Sequence, residues 1–191
     1  RIFFVGNTMI DTLEAHLPYA QKRPMLADLG LEPAGYAVVT LHRPSNVDDR
    51  DGLQTLVAML EQIAQRLPGV FPVHARTRER LGQFGLTRRL ERNPSIKACA
   101  PLGYLDFLGL LAKARLVLTD SGGIQEETTV LGVPCLTLRA NTERPVTISE
   151  GTNRLVTPGD VRAILAAADE VLAAPLPGAR RRGCRLRALP R

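Results

Sequence analysis

Residues 118–145 read LTDSGGIQEETTVLGVPCLTLRANTERP, and this stretch decides the fold class. It begins at the end of an apolar strand, passes through Asp-Ser-Gly-Gly into a segment of helical length, and stops at Gly-Val-Pro. The run Cys135-Leu-Thr-Leu138 that follows is again apolar and strand-like. A strand, a helix and a second buried strand in this order are typical of a βαβ unit with parallel strands.

The rest of the chain repeats this alternation of apolar strands with helix-length segments. The pattern predicts strands over 36–41, 70–73, 95–98, 116–118, 135–138 and 154–156. It predicts helices over 8–29, broken at Pro18 and Pro24, and over 51–67, 77–84, 104–114, 123–131 and 161–173. We therefore predict an α/β fold, a doubly wound, Rossmann-like parallel sheet spanning residues 30–174.

Positive charge is concentrated at the carboxyl end of the chain. Residues 178–191 hold six arginines and no acidic residue, so the remaining basic residues equal the 19 acidic ones in number. The net charge of +6 therefore does not indicate a nucleic-acid-binding face on the domain, which would interleave aromatic residues with the basic ones. We predict that residues 1–29 form a crossover and linking helix, and that 175–191 form a disordered, Arg-rich tail. A tail that binds RNA or an anionic surface is the alternative.

The apolar runs disfavour a membrane-spanning protein, and the cysteines disfavour a protein held by disulfides or a metal site. No apolar run approaches the roughly 20 residues of a bilayer-spanning helix, and the opening RIFFV is too short for a signal peptide. The three cysteines are widely separated and odd in number, which indicates neither a disulfide framework nor a metal site. We predict a cytoplasmic protein with no metal, no membrane partner and no nucleic-acid partner.

The Ser121-Gly122-Gly123 turn has the features of an anion site. Two glycines at a strand-to-helix turn leave backbone N–H groups uncovered, and the following helix adds about half a positive charge at its amino end. The serine hydroxyl supplies a further donor, so phosphate is the ligand that fits. The alternative is structural, with Ser121 as a helix cap and the glycines as a tight turn.

Three carboxylates flank that turn. Glu127 lies four residues after Gly123 on the same side of the helix, where it can accept hydrogen bonds from a ribose diol. Glu126 points about 100° away and is predicted to be solvated or paired. Asp120 and both glutamates lie near the helix start, where the helix dipole favours carboxylates, so a structural role is the alternative for each.

Two polar pairs follow other predicted strands, and the loops at the carboxyl ends of parallel strands gather at one edge of the sheet. His42 and Arg43 follow the strand 36–41, where the histidine can donate to a phosphate or transfer a proton. His74 and Arg76 follow the strand 70–73, where they either bind a second anion or close the loop.

Arg144 follows the strand 135–138 in the sequence Asn-Thr-Glu-Arg-Pro. Pro145 suits the first turn of a helix, and Thr142 or Asn141 is the expected cap. We predict that the guanidinium binds a phosphate or pairs with a carboxylate in the cleft. An ordinary surface arginine is the alternative.

Taken together, these motifs resemble the non-hydrolysing UDP-N-acetylglucosamine 2-epimerases, which share the two-domain glycosyltransferase-B architecture. The resemblance is carried by VGNTMID (5–11), VVTLHRPSNVDD (38–49), FPVHARTRERL (71–81), PLGYLDF (101–107), LTDSGGIQEE (118–127) and LRANTERPVTISEGTNRLV (138–156). The segments keep the family's order and spacing over residues 5–173. The resemblance implies that this chain is the C-terminal, UDP-binding half of such an enzyme.

The resemblance also implies a role for each candidate residue. Uracil is expected beside Phe107, the ribose at Glu127, and the diphosphate at Ser121, Gly122, Gly123 and Arg144. The catalytic residue expected in this half is His42, which supports the departure of UDP. His74 and Arg76 match a segment near a regulatory nucleotide-sugar pocket of some members, although Ala75 stands where proline is commoner.

In the family, carbon 2 of the sugar is inverted by elimination and re-addition of UDP, without a cofactor. The resemblance places the catalytic carboxylates in an N-terminal domain outside this chain, and it implies a UDP-sugar substrate, a homodimer and a role in polysaccharide biosynthesis. The motif match is expected to stop after about Ala174. A uridine-nucleotide-binding module without catalysis and a glycosyltransferase of the same architecture are the alternatives. The LHRPSNV and TERP segments favour the epimerase over the transferase.

Overall fold

The computed structural model describes residues 6–175. Its strands are β1 (Ala37–Thr40), β2 (Gly69–Pro72), β3 (Ile96–Cys99), β4 (Leu116–Thr119), β5 (Cys135–Leu138) and β6 (Asn153–Val156). Its helices are α1 (Thr8–Ala20), α2 (Met25–Asp28), α3 (Pro44–Val47), α4 (Arg50–Ala64), α5 (Ala75–Gln83), α6 (Thr87–Glu91), α7 (Tyr104–Lys113), α8 (Gly122–Leu131), α9 (Val146–Ser149) and α10 (Val161–Ala173).

The strands of this described region form one parallel sheet in the order β3-β2-β1-β4-β5-β6. β1 and β4 are neighbours, with Val38 opposite Val117, although β2 and β3 separate them in the chain. The direction in which strands are added reverses at this pair, and doubly wound sheets bind ligands at the carboxyl end of such a reversal. The predicted fold class is therefore confirmed.

Alternate residues of the central strands are buried on opposite faces of the sheet. Val39 and Leu118 belong to a core that includes α4 and α10, whereas Val38 and Val117 belong to a second core that includes α7. Helix α1 packs against α7 and α8 through the fully buried Leu13. Because helices cover both faces, the strands are continuous apolar runs, which is why they could be recognised in the sequence.

Most predicted elements coincide with the observed ones, and β5 and α10 have the predicted ends. The sequence pattern does not predict α3 and α6, since four or five residues give hardly more than one turn and show no periodicity. The expected break at Pro18 is wrong, because Pro18 lies in the last turn of α1, where its missing N–H costs at most one helical hydrogen bond. The chain leaves the helix after Ala20, before Pro24.

Gly109 lies where α7 approaches α1 most tightly. A Cβ added at this position would lie 2.7 Å from the carbonyl oxygen of Ala20, which is rigid backbone. We expect Gly109→Ala to lower the free energy of unfolding by about 1–3 kcal/mol, because the two helices must move apart. Urea unfolding followed by circular dichroism measures the change.

The matched control is Gly82→Ala in α5, where an added Cβ meets nothing within 4 Å. This substitution is expected to raise stability by up to about 1 kcal/mol, since alanine has the higher helix propensity. If Gly109→Ala is as well tolerated as Gly82→Ala, the close contact between α1 and α7 is not present in solution.

Within residues 6–175, no helix combines the length and the apolar composition that crossing a membrane requires. The same residues contain no group of three His, Cys, Asp or Glu side chains that could hold a metal ion.

Candidate functional site

The polar clusters predicted from the sequence lie at the carboxyl ends of four adjacent strands. His74 follows β2, His42 follows β1, Asp120 follows β4 and Arg144 follows β5. The ring centroids of His42 and His74 are 5.2 Å apart, and His42 Nδ1 lies 3.0 Å from Asp120 Oδ1. The prediction that these clusters share one edge of the sheet is confirmed.

Asp120 holds the loop after β1 in place. Its side chain is fully buried, and its Oδ2 accepts hydrogen bonds from the amides of His42 (2.9 Å) and Arg43 (2.8 Å) and from Asn46 Nδ2 (3.0 Å). Burial by itself raises the pKa of Asp120, but the contacts with His42, Arg43 and Asn46 outweigh it and keep the pKa below its ordinary value. Asp120 is therefore a buried anion that orders the loop carrying His42.

Asn46 extends this network behind the loop. Its Nδ2 also donates to the carbonyl of Leu138 at the end of β5 (3.2 Å), which ties α3 to the sheet. Asn46 lines a cavity of about 130 Å³ beside α4 and α10, but none of the predicted site residues lines it. The candidate site is therefore separate from this cavity.

His42 is a half-exposed ring with a favoured positive charge. The contact with Asp120 raises the pKa of His42 above its ordinary value, although burial and the charge of Arg43 act in the opposite direction. Because Nδ1 faces Asp120, Nε2 is the nitrogen that remains to donate to an anion. His42 can therefore present a cationic donor at the crevice beside β1.

Ser121 occupies the N-cap position of α8, as the structural alternative expected, but its side chain makes no capping hydrogen bond. Its N–H donates to Thr119 Oγ1 (3.0 Å), and its carbonyl accepts from Gln125 Nε2 (3.2 Å). The backbone of Ser121 is thus fixed while the hydroxyl makes no cap to the helix.

Gly122 and Gly123 do not serve a left-handed backbone, since neither has a positive φ, but the ends of two flexible side chains lie close to them. A Cβ on Gly122 would lie 3.1 Å from Glu143 Oε1, and one on Gly123 would lie 2.8 Å from Met9 Cε. The first amides of a helix have no partner within the helix and carry its positive dipole end. An anion at the amino end of α8 stays a prediction.

Glu126 pairs with Arg144 and is not solvated. Its buried side chain accepts from Asn7 Nδ2 through Oε1 (3.0 Å), and the same oxygen lies 3.1 Å from Arg144 Nε. Of the two predictions for Glu126, pairing is correct and solvation is wrong. Pairing with a carboxylate is one of the two roles predicted for Arg144, and the other, binding of a phosphate, stays a prediction.

The loop that carries Arg144 is held by buried polar groups. Gln125 Oε1 accepts from Thr142 Oγ1 (2.6 Å) and from Asn153 Nδ2 (3.0 Å), and Thr142 Oγ1 accepts from the amide of Arg144 (3.0 Å). Pro145 is the residue just before α9, so the prediction that it lies within the first turn is one residue off. Neither predicted cap is correct: the N-cap is Pro145, no side chain caps α9, and Thr142 instead accepts from the amide of Arg144.

Glu127 lies on the α7 side of α8. The residue is only 8% exposed, and its Oε1 lies 3.5 Å from the hydroxyl of Tyr104. Burial raises the pKa of Glu127 to about 7; Tyr104 opposes this rise, and the neighbouring charge of Glu126 adds to it. Phe107, one turn further along α7, is half-buried against the core of that face. A role for Phe107 at uracil and for Glu127 at ribose stays a prediction.

His74 and Arg76 do not form a free cationic pair. His74 caps α5, with its Nδ1 accepting from the amide of Arg76 (3.3 Å), and Arg76 Nε donates to Asp48 Oδ1 (2.9 Å). These contacts close the loop, which is one of the two predicted roles. The second role, in a regulatory pocket, stays a prediction.

Several residues that shape the site were not predicted from the sequence. Gln125 and Tyr104 position Thr142 and Glu127 respectively, and Glu143 lies against Gly122. Gln125, Tyr104 and Glu143 all lie inside segments that carry the family resemblance, which are 118–127, 101–107 and 138–156 respectively. The resemblance was therefore the signal that could have identified them, because their side-chain types alone do not indicate a site.

Parallel strands with a reversal between β1 and β4 define a doubly wound, Rossmann-like domain. The fold occurs in proteins of the glycosyltransferase-B type. Sucrose-phosphate synthase from Thermosynechococcus elongatus superimposes with a TM-score of 0.58 at 22% identity, covering 80% of this chain and 40% of that one. At this identity the similarity shows the fold alone.

The protein family is a narrower group than the proteins that share this fold. The model of the UDP-N-acetylglucosamine 2-epimerase family matches residues 1–183, and the chain belongs to this family. The matched region extends past Ala174, where the motifs indicated an end. Two curated relatives named UDP-N-acetylglucosamine 2-epimerase are both 42% identical. The alignment with the Methanococcus maripaludis relative covers 81% of this chain and 44% of that relative. The alignment with the Methanocaldococcus jannaschii relative covers 90% of this chain and 48% of that relative.

A solved structure agrees with this assignment. The M. jannaschii UDP-GlcNAc 2-epimerase in complex with UDP-GlcNAc and UDP superimposes with a TM-score of 0.83 at 39% identity. The superposition covers 94% of this chain and 51% of that one. The chain therefore spans about half the length of the curated relatives and of the solved structure.

Proposed function

We propose that this chain is the UDP-binding half of an enzyme that interconverts UDP-GlcNAc and UDP-ManNAc. One observation carries the proposal: His42, held by buried Asp120, lies at the same sheet edge as the amino end of α8 and Arg144. These are donors and positive charges gathered where a doubly wound sheet binds its ligand. Membership of the epimerase family supports the choice of ligand.

Each part of the nucleotide has a matching group in this arrangement. The diphosphate fits the amides of Gly122 and Gly123, with Arg144 as a charged donor beside them. The ribose diol fits Glu127, whose carboxylate accepts hydrogen bonds, and uracil fits beside Phe107 on α7. A UDP-sugar then extends from the crevice toward a complementary N-terminal domain.

The proposed reaction divides its work between the two domains. A base removes the proton from carbon 2, the bond from carbon 1 to UDP breaks with its electron pair leaving on UDP, and 2-acetamidoglucal remains. The proton returns to the other face of carbon 2, and UDP adds back to carbon 1. In this half, cationic His42 and Arg144 stabilise the negative charge that develops on departing UDP. The base and its partner carboxylates belong to the N-terminal domain.

The chain's length favours a second candidate function for the isolated polypeptide. Because it spans about half of its relatives, the chain alone would bind a uridine nucleotide without catalysing epimerisation. Family membership favours both candidates over a glycosyltransferase. A homodimer, a cytoplasmic location and a role in polysaccharide biosynthesis stay predictions.

Two measurements test the proposal. Calorimetry is expected to show UDP binding to the 191-residue chain, and magnetic resonance in heavy water is expected to show no exchange of the carbon 2 proton of UDP-GlcNAc by this chain alone. Addition of a folded N-terminal domain from the family is expected to start exchange. No UDP binding overturns the proposal, and binding without exchange in the reconstituted pair leaves only the binding-module candidate.

Arg144→Gln is expected to weaken UDP binding by about 1–3 kcal/mol, roughly 5- to 150-fold, because a charged hydrogen bond to phosphate is lost. The matched control is Arg154→Gln. Arg154 is an exposed arginine on β6 that pairs with Glu170 on α10. The control is expected to leave UDP affinity unchanged in the same calorimetric titration. Equal affinities of both variants would remove Arg144 from the phosphate site.

A further inference from the structure

Glu143 lies directly over the amino end of α8. Its Oε1 is 3.1 Å from the position of a Cβ on Gly122, which places the carboxylate against the first residue of the helix. Its Oε2 lies 2.8 Å from Arg139 Nη1, and its Oε1 lies 3.7 Å from Arg43 Nη2. One carboxylate therefore bridges guanidinium groups from the loops after β1 and β5, at the place best suited to an external anion.

The burial of the partners is uneven. The side chain of Arg139 is only 12% exposed, whereas that of Glu143 is 47% exposed. A guanidinium so far removed from water requires an anion beside it. Among the described residues, the acidic group in ion-pair contact with Arg139 is Glu143, an exposed side chain that can rotate away without leaving a cavity.

Glu143 remains an anion at neutral pH. A hydrogen bond from its own backbone amide lowers the pKa of Glu143; burial acts in the opposite direction, and Arg139 and Arg43 add to the lowering. If this carboxylate stayed in place, it would repel a diphosphate that approached the same helix end. The two anions compete for one position.

We propose that Glu143 is a placeholder for phosphate, and that Arg139 and Arg43 are phosphate-binding residues in addition to Arg144. This inference rests on the proposed function, since it requires a nucleoside diphosphate at α8. On binding, one phosphate takes the position of the carboxylate between Arg139 and Arg43, and Glu143 turns into solvent. Because every ligand must displace a carboxylate already in place, the site selects multiply charged phosphates over weaker anions.

The test is Glu143→Gln in the 191-residue chain, titrated calorimetrically with UDP and with uridine. Glutamine keeps the shape of the side chain but removes the competing charge, so the dissociation constant of UDP is expected to fall roughly three- to tenfold. Uridine has no phosphate, and its affinity is expected to stay the same. The matched control is Glu91→Gln, an exposed glutamate on α6 that changes the net charge equally and is expected to change neither affinity.

The outcomes separate this inference from the proposed function. If the unmodified chain binds no UDP, the proposed function itself fails. If the unmodified chain binds UDP but Glu143→Gln binds it equally or more weakly, the placeholder is overturned, and a weaker affinity makes Glu143 a ligand of the nucleotide. Arg139→Gln supplies an independent check, since it is expected to weaken UDP at least fivefold and to leave uridine unchanged; an unchanged UDP affinity would also overturn the inference.

Discussion

Asp120→Ala is expected to lower the free energy of unfolding by about 3–5 kcal/mol. The carboxylate accepts hydrogen bonds from the amides of His42 and Arg43 and from Asn46. Alanine leaves the two part-buried amides without this partner, and Asn46 Nδ2 keeps only its bond to the carbonyl of Leu138. Domains of this kind are commonly stable by about 5–15 kcal/mol, so the loss is a large part of the total. Urea unfolding at pH 7 measures it.

The control for this experiment is Asp160→Ala. Asp160 also accepts a backbone hydrogen bond, from Ala163 at the start of α10, but it is exposed to water. Loss of an exposed helix cap costs about 1 kcal/mol. If Asp120→Ala costs no more than this, Asp120 does not hold the loop after β1 in the way that its contacts indicate.

Asp120→Asn separates the role of the charge from the role of the shape. The asparagine oxygen can accept the same three N–H groups while its amide donates to His42 Nδ1, which favours a neutral ring. The pKa of His42 is therefore expected to fall below its value in the unmodified chain. A magnetic resonance titration of the imidazole protons measures this, and an unchanged pKa would show that Asp120 does not set the charge of His42.

The sign of the associated pH dependence follows from the direction of the shift. Because Asp120 raises the pKa of His42, the stability from this pair is fully present below the ordinary histidine pKa and is lost as pH rises through the pKa of the folded chain. This dependence is expected to disappear in Asp120→Asn. Asp160→Asn, which keeps an equivalent cap, is expected to retain it.

The fold could be predicted because its signals are local. A strand buried on both faces is a short apolar run, and α10 and β5 have periodic or apolar patterns with clear ends. Helix α3 escaped prediction because its support is remote: Asn46 is tied to Asp120, 74 residues away in the sequence. A single turn stabilised by such a contact shows no pattern of its own.

The edge of the sheet at which the candidate site lies could be predicted, but the hydrogen-bond partners of its side chains could not. The carboxyl ends of parallel strands meet at one edge, which predicted that the loops after β1 and β4 share this edge without any knowledge of side chains. The burial of Glu126 depends on Asn7, which is 119 residues away. Helical geometry gave the direction of Glu126 but could not show which group it would meet.

Glu127→Gln is expected to stabilise the folded chain at pH 8 by about 2–3 kcal/mol. Burial raises the pKa of Glu127 to about 7, so the folded chain binds this proton more tightly than the unfolded chain does. The contribution to stability is therefore greatest below the ordinary value of 4.5, falls as pH rises to about 7, and is constant above that. Urea unfolding is expected to show a difference of under about 1 kcal/mol at pH 5.

In the proposed site, the ribose diol donates two hydrogen bonds to the ionised carboxylate of Glu127, which glutamine does not replace in full. The same substitution is therefore expected to weaken UDP binding by about 1–3 kcal/mol at pH 8. The quantity to measure against pH is the UDP affinity of the unmodified chain divided by that of Glu127→Gln. Titration of the UDP phosphate and of His42 affects both chains equally and cancels in this ratio. This ratio is expected to rise as pH passes through about 7, where Glu127 ionises.

Glu91→Gln, exposed on α6, is the control and is expected to change neither stability nor affinity. A variant that gains stability without losing affinity would leave Glu127 buried for reasons unrelated to ribose, whereas the opposed changes show that the chain gives up stability to keep a charge for its ligand.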